Sequence, residues 1–128
     1  MENQNIKVNF LLICESADFD SSGKLNIYGV FDQIRTGGFP ALRKKLSIVL
    51  QLELPKGKHT QYVKFRKNNW EVRTLDVNIE KEEDSQHNVI HNITNLILPE
   101  EGDYEIEVFV DNNKILYNGY TKFSVIKE

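Results

Sequence analysis

Asp18, Asp20 and Ser22 stand at alternate positions ahead of Gly23. That is how the first half of a calcium loop aims oxygens at one ion before a sharp turn. The second half fails, because Gly29 occupies the position that needs a bidentate glutamate, and the segment reads as a polar turn. His87 and His91 have the four-residue spacing that sets two imidazoles on one face of a zinc-binding helix, without the adjoining glutamate. On an extended strand the rings stand about 13 Å apart, too far to share an ion, and they read as solvated histidines. Cys14 is the only cysteine, which rules out an intrachain disulfide or a cysteine-built zinc site and makes it a small apolar residue ending a buried strand. Asn92-Ile93-Thr94 is a glycosylation sequon, incidental without a secretory route. Asp18, Asp20, Asp32 and Glu53 are the carboxylates that a fold could pair for acid–base work, but no nucleophile elbow or phosphate loop accompanies them. The expectation is a protein with no catalytic residue, no cofactor and no metal.

The elements that would position such residues are strands. Apolar residues recur with period two, most plainly at Leu46, Ile48, Leu50, Leu52 and Leu54, with Ser47, Gln51 and Glu53 between them. Pro55-Lys56-Gly57-Lys58 offers a turn, after which Val63 and Phe65 point inward and Tyr62, Lys64 and Arg66 outward. Asn68-Asn69 tolerates positive φ and reverses the chain into Trp70–Ile79, so the three runs read as a meander. Lys7–Cys14 and Leu25–Ile34, the latter broken by Gly29, precede it. Val89–Leu98, Tyr104–Val110, an Asp111-Asn112-Asn113 turn and Ile115–Ile126 follow. Pro40, Pro55 and Pro99 fall at strand ends, and Lys81–Gln86 is the most exposed loop.

Seven to eight short strands over residues 1–128 make one all-β domain, an antiparallel two-sheet sandwich. With 40% hydrophobic and 27% charged residues, the chain has the composition of an ordinary globular domain, and folding at this length buries roughly two-thirds of its surface. The run Leu96-x-Leu98-x-x-x-Gly102-Asp103-Tyr104-x-Ile106-x-Val108 resembles the corner at which immunoglobulin-like domains enter their penultimate strand. Tyr104 would be the corner tyrosine, its hydroxyl bonded to upstream backbone, and Trp70 a core residue. Cys14-Glu15-Ser16-Ala17-Asp18, Gly23 to Phe31 and Gly102-x-Tyr104 together resemble a family of small bacterial proteins of unknown function. That resemblance implies a stand-alone β-sandwich and supplies no substrate.

Charge is segregated along the chain. Arg35 to Lys67 holds nine bases and one acid, a balance of +8, whereas Glu71 to Asp111 holds two bases and twelve acids, a balance of −10. Lys64 and Arg66 share an outward face with Tyr62, and Lys56, Lys58 and Lys67 lie at the ends of the same run, forming a candidate basic stripe. The alternative is that strands from the two blocks interleave and cancel. The expected function is a non-catalytic binding or assembly module, in which this stripe meets an acidic surface on a protein partner or on another copy. The second reading is nucleic-acid binding, with Lys64, Arg66 and Lys67 on phosphates and Tyr62 or Trp70 stacking on bases. Met1–Cys14 makes a poor secretory signal, the bulky Ile13 spoils a lipoprotein site, and no apolar run spans a bilayer. The chain reads as cytoplasmic, without a membrane partner, and its Asn, Ile and Lys content suggests a bacterial or phage genome.

Overall fold

The computed structural model describes residues 6–119 and 121–128. They form ten strands: β1 (Lys7–Phe19), β2 (Leu25–Val30), β3 (Gln33–Thr36), β4 (Ala41–Leu54), β5 (Gly57–Lys67), β6 (Trp70–Lys81), β7 (Ser85–Leu98), β8 (Gly102–Val110), β9 (Asn113–Ile115) and β10 (Lys122–Lys127). Two sheets pack face to face, one in the order β2-β1-β4-β7 and the other β3-β10-β8-β5-β6, with β9 on β8. The all-β sandwich follows from period-two patterning. Leu46, Ile48, Leu50, Leu52 and Leu54 of β4 and Val63 and Phe65 of β5 supply the inner faces, together with Tyr104, Ile106 and Val108 of β8 and Phe123 and Val125 of β10. Phe123 packs against two other rings, stacked on Tyr104 at 5.3 Å and edge-on to Phe65 at 5.8 Å.

The strand count and pairing correct the sequence reading. Leu25–Ile34 is two strands in different sheets, because Phe31 and Asp32 carry the chain from the edge of one sheet to the edge of the other. There β3 runs parallel to β10, so the sandwich is not wholly antiparallel. Ile115–Ile126 likewise divides into β9 and β10. The expected β4–β5–β6 meander is only a β5–β6 hairpin. Both sides of β4 are taken, by β1 and by β7, so β5 finds no free edge there and crosses to the opposite sheet. Gly57, at φ 125°, permits that exit.

The turns follow local chemistry. Asp111 and Asn112 both adopt positive φ in the two-residue loop between Val110 and Asn113, the requirement of a type I′ hairpin. Asn68, at φ 57°, begins the equivalent loop between Lys67 and Trp70. The Glu82-Glu83-Asp84 turn joins β6 to β7.

Candidate binding surface

The outer face of the larger sheet carries the expected stripe, and the register explains what becomes of it. Strands from the basic and acidic blocks alternate, so one row across the sheet reads Lys122, Glu105, Arg66, Glu71, and the next places Lys64 between Glu107 and Thr74. Arg66 donates Nε to Glu107 at 2.8 Å, Lys114 reaches the same carboxylate at 3.1 Å, and Lys64 pairs with Glu71 at 3.4 Å. Burial alone would raise the Glu107 carboxyl, but the hydrogen bonds from Lys114 and Arg66 hold it below the ordinary carboxylate range. Tyr62 lies flat on Phe109 at 4.8 Å, with the Lys64 ammonium 5.1 Å from the Phe109 ring centre. Lys58 stands opposite Glu80, and the Lys56 amide donates to Asp84. The cations of β5 at positions 64 and 66 are therefore paired with carboxylates of the neighbouring strands.

Lys67 and Trp70 exchange their expected places. Lys67 is only 8% exposed, its ammonium 3.6 Å from Glu100 and over the Tyr104 ring at 6.0 Å. Gly102, at φ 127°, makes room, since a Cβ there would lie 2.9 Å from Lys67 Nζ. Trp70 is 52% exposed, because a residue that follows a two-residue hairpin loop sits at the tip of the sheet and not over its centre. The Tyr104 hydroxyl donates to the Glu100 carbonyl at 2.6 Å and accepts from the Glu100 amide at 3.2 Å. Ile106, two residues on, is in the core.

The other sequence candidates are also placed. Asp20 Oδ1 accepts from the Ser22 amide and hydroxyl and from the Lys24 amide, which lowers its carboxyl and commits it to its own turn. Asp18 accepts from Asn26 near one end of β1, while Glu53 sits beside Lys7 at the other, so those carboxylates do not converge. Burial pushes the Cys14 thiol up, away from thiolate chemistry. His91 is not solvated. It is buried in the core with its Nε2 2.7 Å from Gln61 Oε1, and burial holds it at about 4. His59, which drew no attention in the sequence, is buried with Nδ1 2.7 Å from Asp111 Oδ2 and Nε2 2.8 Å from the Pro55 carbonyl. Fifty-two positions separate His59 from Asp111, so no local spacing announces the pair.

The outer face of the smaller sheet is of a different kind. Three successive rows across β2, β1, β4 and β7 hold Val30, Cys14, Ser47 and Asn92; then Leu12, Val49 and Ile90; then Phe10, Gln51 and Asn88. None of these residues is charged. Cys14, Ser47 and Val49 alternate with core-facing neighbours and so point outward, yet all three are fully buried. Tyr28 and Val30 remain 50% and 57% exposed at the β2 edge. The polar side chains are tied laterally, Asn9 to Gln51 at 2.9 Å, Gln51 to Asn88 at 3.0 Å and Ser47 to Asn92 at 2.8 Å, which pre-orders the face. The signal for it lay in β1, where apolar residues from Phe10 to Ile13 serve both faces.

These features define a small all-β domain with ion pairs on one outer face and three uncharged central rows on the other. The chain belongs to a family of unknown function, DUF6941, whose model matches residues 9–118. No curated protein matches the sequence.

Proposed function

We propose that this protein is a non-catalytic binding or assembly module that acts through protein–protein contact on the outer face of its four-stranded sheet. One observation carries the reading: three rows of that face contain no charge, whereas the opposite face is covered by charges that satisfy one another. Removing an uncharged, laterally bonded plate from water strands no ion, while the paired face would have to break its own bridges before meeting anything else. The same pairing, with Lys67 buried, weighs against nucleic-acid binding, which needs cations free for phosphates. We further read the sandwich as immunoglobulin-like. The parallel β3–β10 edge, the placement of β4 and β7 opposite β5, β8 and β10, and the Tyr104–Glu100 bond support that reading. A single buried cysteine suits a reducing, cytoplasmic setting.

The test is site-directed photocrosslinking in the source cells, with the photoreactive side chain at position 90 or at position 62. Capture of protein from position 90 and none from position 62 is expected. Capture from position 62 alone would transfer the function to the charged face.

A further inference from the structure

Resting on that reading of the uncharged face, we infer that its occupant is a second copy of this chain, packed face to face with β4 antiparallel to β4 about a two-fold axis. The outward positions of β4 read Lys45, Ser47, Val49, Gln51, Glu53. Polarity along this line is symmetric about Val49, and charge is antisymmetric. A two-fold axis along the row of Leu12, Val49 and Ile90 brings the partly exposed Leu12 and Ile90 onto the same residues of the second copy above the covered Val49, and sets Lys45 against its Glu53, twice over. The neighbouring strand repeats the polarity, since Thr94, Asn92, Ile90, Asn88 and Gln86 oppose the same five residues of β4.

Register and direction are both specified by this arrangement. With the strands parallel, Lys45 would face Lys45 and Glu53 would face Glu53, and slipping either copy by two residues would bring the partly exposed Ile90 onto Asn88 or Asn92. Lys45 is exposed, and among the described residues Glu53 forms one ion pair, with Lys7 at 4.0 Å. β1, β4 and β7 run side by side over these positions, an area of roughly 400 Å2 per copy, which is the size of a weak dimer contact. An isologous contact of this kind closes on itself.

Sedimentation of the purified protein with two single charge reversals tests the pairing. The wild-type chain is expected to be a dimer at about 100 µM, and Lys45→Glu and Glu53→Lys are each expected to raise the dissociation constant about tenfold or more, because each converts two attractive contacts into two repulsive ones. Mixed in equal amounts, the two variants are expected to dimerise again, since both 45–53 contacts are then complementary. That recovery also proves both variants folded. A monomeric wild-type chain, or a mixture no more associated than its components, overturns the inference. If position 90 then crosslinks a different protein, the uncharged face still binds but the occupant is not a second copy. If position 90 captures nothing, both readings fall.

Discussion

Gln61 and His91 join the two sheets through the core: the imidazole Nε2 on β7 lies 2.7 Å from the amide Oε1 on β5, and both side chains are buried. The amide oxygen accepts, so Nε2 carries a proton, and burial keeps the ring neutral near pH 7. Gln61 Nε2 has no hydrogen-bond partner among the described residues. A buried polar pair left half satisfied stabilises little and makes the core sensitive to acid.

Stability is therefore expected to depend on pH through His91. Its folded value is about 4, against an unfolded value near 6.5. Between those values the unfolded chain takes up a proton that the folded chain excludes, so His91's contribution is intact above about pH 6.5 and declines as pH falls toward about 4. The loss over that window is on the order of 3 kcal/mol. Urea unfolding at pH 7, 6, 5 and 4 measures it. The double replacement Gln61→Leu with His91→Leu should flatten this part of the curve and leave stability at pH 7 unchanged or higher, and an unaltered slope would place the sensitivity elsewhere.

Tyr104 and Gly102 fix the entry to β8 by different means. Tyr104→Phe removes a hydroxyl that both donates to and accepts from Glu100, and is expected to cost about 1 to 3 kcal/mol in denaturant unfolding. Gly102→Ala forces a side chain into φ 127° and is expected to cost more than about 1 kcal/mol. The Lys67 ammonium, as the end of a flexible side chain, can move aside, so replacing Lys67 by Met should not rescue the alanine variant. Full rescue would assign the cost to the contact instead of the backbone.

Reversing Lys64 and Arg66 together separates the charged face's internal role from an external one. Glutamates at 64 and 66 would stand beside Glu71, Glu105 and Glu107. The double variant is expected to lose about 1 to 2 kcal/mol of stability at low salt and to regain part of it as salt screens the repulsion. Retention of single-stranded DNA or RNA is expected to be negligible for wild type and variant alike. Salt-sensitive retention by the wild-type chain that the variant abolishes would restore the nucleic-acid reading.

Much of the fold was legible in the sequence, because strand patterning and turn chemistry are local. Leu46 to Leu54 alternate within a single strand, Asp111-Asn112 specifies its own reversal, and Tyr104 reaches only four residues back to Glu100. The number of strands was less legible, since a two-residue link such as Phe31–Asp32 can continue a strand or carry it to the other sheet with the same period. The chain alone could not decide which strands become neighbours, and the character of each surface depends on that. Arg66 meets Glu107 across 41 positions and His91 meets Gln61 across 30, so neither the neutralised stripe nor the buried histidine has a signature at short range. Charge runs report what a segment carries, while sheet pairing decides which charges remain free. Here β5 was set between β6 and β8, where Lys64 and Arg66 pair with Glu71 and Glu107, while the central rows across β1, β4 and β7 were left without charge.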